Sequence, residues 1–355
     1  MGAPLKSVSL SAMSEPSRAP RSEARAPGSG SGAKTPAPAV SGPPGLSQRA
    51  RPRRVIAVGG GKGGVGKSMV SANLGVALAQ AGLNVLLVDA DLGGANLHTC
   101  LGVGQPAATL SDFLRKNKAT LEEVIIPTGV PRLSLIAGAQ DALDAANLKY
   151  AQKQKLLKTL MGASADYLIL DLGAGTSFNT IDFFIMADHG LLVVLPEPTS
   201  VENAYRFAKA AFFRRLQQVE AQYGIQDIVE SALTTREGSL RTLHDVLAQV
   251  RHKDLAAAER LEKELAEFRI RLIVNQARTD ADQNVGVAVA AAWKKFFGIE
   301  MDDLGAIRYD DEAWRAVRKR RPVLIERPDS PASSAIQRIA SRLLALDSNL
   351  DPSSP

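Results

Sequence analysis

The 355-residue chain has a single cysteine, Cys100, which excludes an internal disulfide, a CxxC redox pair and a zinc ribbon. Only 5% of its residues are aromatic. No stretch approaches the run of about 18 apolar residues that a membrane-spanning helix requires. The first 30 residues hold no apolar segment of the signal-peptide kind. These features together predict a soluble, cytoplasmic protein. The 45% of apolar residues suffices for a large core.

The net charge of +6 is unevenly placed. Residues 1–54 carry nine Lys/Arg against two Glu, a balance of +7, and the remainder is close to neutral at −1. The same 54 residues hold nine of the 19 prolines, ten serines and six glycines, and no aromatic residue. Such a segment buries too little apolar surface to offset its backbone entropy, so a disordered tail is predicted over residues 1–54. It serves as a solubilising leader or as an electrostatic arm. A second disordered segment is predicted over 347–355.

From Val55 onward, short Val/Ile/Leu runs alternate with helix-length stretches. The runs are Val55–Val58, Val85–Val88, Leu133–Ala137, Tyr167–Leu170, Gly190–Leu195, Arg271–Val274 and Leu304–Ile307. Helices are expected over Ser68–Gln80, Asn147–Met161, Val201–Tyr223 and Ser333–Leu346. Continuous apolar strands between helices predict an α/β doubly wound, mainly parallel sheet over residues 55–346. Ligands of such sheets bind at the carboxyl ends of the strands. Residues 225–268 interrupt the alternation with apolar residues at helical spacing, a helical insertion that either packs on the sheet or docks a partner.

The first strand runs into Gly59-Gly-Gly61-Lys62-Gly63-Gly64-Val65-Gly66-Lys67-Ser68, and a helix follows. Within it lies G-x-x-x-x-G-K-S. Glycines let the backbone curl around phosphate oxygens, and the helix N-terminus adds its dipole. Lys67 is expected to reach the β/γ-phosphates and Ser68 to ligate Mg2+. A second lysine, Lys62, has no free phosphate on its own side and is placed to reach a partner's nucleotide.

The G-K-G-G-V-G-K-S run resembles the deviant Walker A motif of the ParA/MinD family of P-loop ATPases. Three later segments agree in order: Asp89-Ala-Asp91-Leu-Gly93-Gly-Ala-Asn96, Tyr167-Leu-Ile-Leu-Asp171-Leu-Gly173-Ala-Gly175, and Leu272-Ile-Val-Asn275-Gln276. The resemblance covers about residues 54–346. It implies slow, partner-stimulated ATP hydrolysis and a homodimer that sandwiches ATP. Lys62 then acts in trans, Asp91 polarises the attacking water, and Asp89 and Asp171 serve the Mg2+ shell. Gly61, Gly63, Gly64, Val65 and Gly66 cradle the phosphates, and Asn275 reads the adenine edge. Three positions depart from the usual pattern: Leu172-Gly173, Met69 after the loop serine, and Arg308 where proline is common.

Membrane-binding members end in a lysine-rich amphipathic helix, whereas this chain ends in an acidic segment, so membrane binding is not expected. Members without such a helix ride on nonspecific DNA. Arg269, Arg271, Lys294 and Lys295 are the candidate phosphate contacts, with Arg315, Arg318, Lys319, Arg320 and Arg321 as a further cluster. The expected role is nucleoid-associated positioning of a cellular structure, foremost the division site, with a protein activator or scaffold as partner. The alternative is a FlhG/MinD-like regulator of flagellar number or polar placement. An Fe–S carrier would need a cysteine pair, which Cys100 cannot supply.

Overall fold

The computed structural model describes residues 54–91, 94–138, 155–156, 158–223, 243–266, 268–298 and 300–350. Residues 1–53 of the tail predicted over 1–54, much of the predicted helix 147–161, residues 224–242 of the insertion and residues 351–355 lie outside these; Arg54, the last residue of the predicted tail, instead opens the first strand.

Eight strands form one sheet: β1 Arg54–Gly59, β2 Val85–Ala90, β3 Ile125–Pro127, β4 Leu133–Ile136, β5 Tyr167–Leu172, β6 His189–Val194, β7 Ile270–Ala277 and β8 Met301–Arg308. Their spatial order is β3-β4-β2-β5-β1-β6-β7-β8. All neighbours pair in parallel except β3, which runs antiparallel to β4 at the edge. This is the α/β architecture that the apolar runs predict. β3 escaped sequence reading because three residues, one of them Pro127, carry no strand pattern.

Helices cover both faces. On one lie α1 (Lys67–Gln80) and, near the C-terminus, Pro331–Leu350, packed over Ile56, Val58, Leu87, Ile169, Leu191 and Val193. On the other lie Phe178–Ile185, Pro198–Tyr223 and Val285–Phe297, over Ala57, Val88, Leu170, Leu192 and Val274. α1 is buried along most of its length rather than on one stripe, as a helix enclosed by sheet and helix must be. The insertion contributes two helices, Leu243–Lys253 and Leu255–Ala266, whose Val250, Ala257, Ala258, Leu261 and Leu265 join this second core. Its described part therefore packs against the domain.

The C-terminal helix extends to Leu350, beyond the predicted end at Leu346. Asp347 is consequently not part of an acidic tail. It is buried at the amino ends of the strands, where it accepts hydrogen bonds from Arg54 Nε at 2.7 Å, the Tyr167 hydroxyl at 2.5 Å and His189 Nε2 at 2.7 Å. Burial opposes its ionisation, but the three donors prevail and hold its carboxyl below the usual carboxylate range.

Replacing Asp347 by Asn should leave Arg54 and His189 under-compensated and cost about 3–5 kcal/mol of stability at neutral pH. A depressed folded-state pKa stabilises above the unfolded pKa of about 4 and loses that contribution as pH falls below it. Urea unfolding of wild type and variant should therefore diverge at pH 7, draw together as pH falls below about 4, and meet only below the depressed folded-state value. A pH-independent difference would contradict the assignment.

Candidate functional site

Four chain segments meet at the carboxyl ends of the central strands: loop 60–66 after β1, Asp89–Asp91 at the end of β2, Asp171–Gly175 at the end of β5, and Asn275–Gln276 at the end of β7. β1 sits between β5 and β6; the connection leaving β1 leads to β2 on the β5 side, and the connection leaving β5 leads to β6 on the other side. That is where a crevice opens in a doubly wound sheet.

The loop is shaped by its glycines. Gly64 and Gly66 adopt φ of +79° and +94°, and Gly66 caps α1. A Cβ on Gly61 would stand 2.0 Å from the Asn203 carbonyl oxygen, so no side chain fits there. Around Gly63 and Gly64, by contrast, a Cβ would meet nothing within 4 Å, and Lys62 between Gly61 and Gly63 is exposed. Val65 is buried and pins the loop, and Lys67 turns inward and is buried. Asn275 braces the loop from behind: its Nδ2 donates to the Val65 carbonyl at 2.8 Å, while its Oδ1 accepts from Gln276 N at 3.0 Å. The expected base-reading side chain thus shares its amide with the loop. Beyond it, Gln276 takes φ of +58° and the Arg278 guanidinium stacks over the Tyr309 ring at 4.0 Å.

The parallel register sets Asp89 of β2 directly beside Asp171 of β5. Both are buried, at 0% and 1% exposure. Asp89 accepts from Asp91 N at 3.2 Å and from Leu97 N at 2.9 Å. Asp171 accepts from the hydroxyls of Ser68 and Ser71, the latter at 2.8 Å, with the Lys67 ammonium nearby. Burial, reinforced by Asp171, pushes the Asp89 carboxyl up to about 8. Burial also raises Asp171, to about 6, against the two serines and Lys67. Asp91 lies against Gly173 and Gly94, where a Cβ would come within 3.0 and 3.4 Å of its carboxylate oxygens. Gly175 N donates to the Gly60 carbonyl at 3.2 Å, which ties the post-β5 loop to the phosphate loop.

Two buried carboxylates and a serine hydroxyl form an all-oxygen donor set. It suits Mg2+, which takes one or two carboxylates and keeps water and phosphate as its other ligands. Lys67, Ser68, Asp89, Asp91 and Asp171 are thus brought together, with Asn275 behind the loop. Ser71 and Arg278 were missed, whereas Tyr309 lies in the segment Gly305–Asp310 that the family resemblance implies closes over the base. Ser71 carried a signal, because three residues beyond Ser68 on a helix is the same face.

The basic candidates fare differently. Arg271 is a correction: it is 5% exposed, donates to the Asp188 carbonyl at 3.3 Å and lies 3.8 Å from Asp302, out of reach of any DNA phosphate. It sits on a strand covered by helices on both faces, where neither alternate position is exposed. Arg269 pairs with Asp302 at 3.7 Å and Lys294 with Glu300 at 2.6 Å; Lys295 is exposed. In the later cluster, Glu312 pairs with Arg315 and Arg327, and Glu326 with Lys319 and Arg321.

The sequence model of the ParA family, described as "NUBPL iron-transfer P-loop NTPase", matches residues 51–230, half of the chain. The chain belongs to this family of P-loop NTPases. It is 29% identical over 295 residues to the antiactivator FleN of Pseudomonas aeruginosa, covering 82% of this chain and 86% of that one. It is 36% identical to the septum site-determining protein MinD of Synechocystis over 155 residues, 43% of this chain and 57% of that one. Among solved structures, MinD of Pyrococcus horikoshii complexed with Mg-ADP superposes with a TM-score of 0.56 at 23% identity, covering 82% of this chain and 96% of that one. That likeness shows the shared MinD-like fold.

At pH 7 a carboxyl titrating near 8 retains its proton, and a bound cation favours the ionised form. Mg2+ binding with nucleotide should therefore release close to one proton, and should tighten as pH rises from about 6 to 8. Calorimetry in two buffers of different ionisation enthalpy reads this directly; identical heats would contradict it.

Proposed function

We propose that this protein is an ATP-hydrolysing, dimerising switch that controls the number or placement of flagella. The observation that carries this reading is the similarity to FleN over most of both chains. Iron–sulfur cluster transfer does not fit this chain, since Cys100 is its single cysteine and a cluster needs further thiolate ligands.

In this reading the backbone of Gly61, Gly63, Gly64, Val65 and Gly66 wraps the phosphates, and Lys67, held inward, neutralises the β/γ-phosphates. Ser68, Asp89 and Asp171 would hold Mg2+. That ion neutralises charge on the transferring phosphoryl group when bound. Asp91 orients the attacking water, on a loop whose contact glycines let it approach. Asn275 fixes Val65 and is the candidate to read the adenine edge. Lys62, exposed on the open side of the loop, reaches a partner protomer's nucleotide. Dimer formation thereby completes each site, and hydrolysis releases the two copies; turnover is slow until a protein activator completes the arrangement.

A second reading, which the likeness to MinD supports, is positioning of the division site in the manner of the myxobacterial positioner PomZ. In that reading the ATP dimer rides on nonspecific DNA. Two of the four candidate phosphate contacts, Arg269 and Lys294, are engaged in ion pairs and the body carries a balance of −1, so the +7 of residues 1–54 is its main support.

Analytical ultracentrifugation with Mg2+ and a non-hydrolysable ATP analogue should show a dimer for wild type. Lys62→Ala should weaken that dimer at least about tenfold, the cost of removing one partner of a charge pair, with monomer nucleotide affinity retained. A wild-type monomer under saturation overturns the dimer reading. Deleting the gene in its own organism should change flagellar number or placement. Misplaced septa with normal flagellation favour the second reading.

A further inference from the structure

The geometry points to Ser71 as a positioning residue that fixes the Asp171 carboxylate for Mg2+. This rests on the metal reading above and extends it to a residue outside the phosphate-binding motif.

Ser71 lies one helical turn beyond Lys67 on α1 and is 0% exposed. A serine inside a helix ordinarily bonds the carbonyl four residues back. Ser71 instead donates across the core to Asp171 Oδ1 at 2.8 Å, 100 residues away in sequence. Ser68 hydrogen-bonds the same carboxylate. Three residues apart, the two hydroxyls share a face of α1 and grip one acid between them. A carboxylate with one partner can still turn about its Cβ–Cγ bond; with two it has a set plane. Its neighbour Asp89 is oriented from the other side, by the backbone N–H groups of Asp91 and Leu97. The acidic pair is thus aligned by two independent elements, the helix after the phosphate loop and the loop after β2. Ser68 faces both roles, metal and carboxylate, whereas Ser71, deeper in the core, serves the carboxylate alone. Partners of this outer kind typically govern metal affinity by about 10–100-fold.

The test titrates Mg2+ into the full chain bound to a fluorescent ADP analogue, starting from EDTA. Ser71→Ala should raise the Mg2+ half-saturation about tenfold and leave nucleotide affinity in EDTA unchanged. Ser71→Cys, which refills the volume with a weaker donor, should show the same shift and decides the matter if the alanine variant does not fold. Ser71→Thr keeps the hydroxyl and should restore wild-type Mg2+ dependence. Wild-type half-saturation in the Ala and Cys variants overturns the inference alone. So does an equal loss of nucleotide affinity in EDTA, which marks a packing defect. If wild type itself shows no effect of Mg2+, the metal reading falls and this inference with it.

Discussion

Two acids, Asp89 and Asp171, are forced side by side by the register of a parallel sheet, in an interior where neither can be hydrated. Main-chain hydrogen bonding sets that pairing, so it cannot relax without unzipping β2 from β5. Burial alone disfavours both charges, and proximity disfavours the second further. The surrounding groups answer this constraint. Backbone N–H groups hold one acid, two hydroxyls and the Lys67 ammonium hold the other, and a divalent cation is the natural completion. A cost of this kind in a core has no value for stability; it is intelligible as a site kept poised for a ligand.

The opposite end of the sheet solves a similar problem in the opposite way. There one acid, Asp347, faces three donors from the first residues of β1, β5 and β6. Its charge is satisfied within the protein, with no place left for a ligand. The two ends divide the labour: the amino end fastens the last helix to three central strands, and the carboxyl end retains unresolved charge. Because α1 runs from the phosphate loop beneath that same last helix, the rigid base also supports the loop.

Most of the fold was legible in the sequence because buried parallel strands are written as continuous Val/Ile/Leu runs. Seven of the eight strands follow such runs, and the eighth, Ile125–Pro127, is too short to have one. The phosphate loop was legible for a different reason: only glycine tolerates φ of +94° at Gly66 or a carbonyl 2.0 Å from a Cβ at Gly61. What stayed hidden depends on which face a residue occupies once the sheet is covered on both sides. Arg271 lies within a strand and reads as an exposed cation until its cover of helices is known. Asp347 reads as part of a polar tail until the helix is seen to continue three residues past it, to Leu350. Ser71 is an unremarked serine until β5 brings Asp171 across from it.

The same reasoning bears on charge. Basic clusters in a sequence suggest polyanions, but a cation is available to a phosphate only if it is not already engaged. Across the described body, Arg269 meets Asp302, Lys294 meets Glu300, and Glu312 and Glu326 each bind two cations of the 315–327 cluster. Exposed pairs of this sort are individually weak, so they would not prevent phosphate contact outright. They do cancel the long-range field that draws a protein to DNA, and a body with a balance of −1 has little field to spare. The largest unbalanced charge in the sequence lies in residues 1–54, so attraction to a polyanion would draw mainly on that segment. The folded domain is then left free to act as the nucleotide-controlled element.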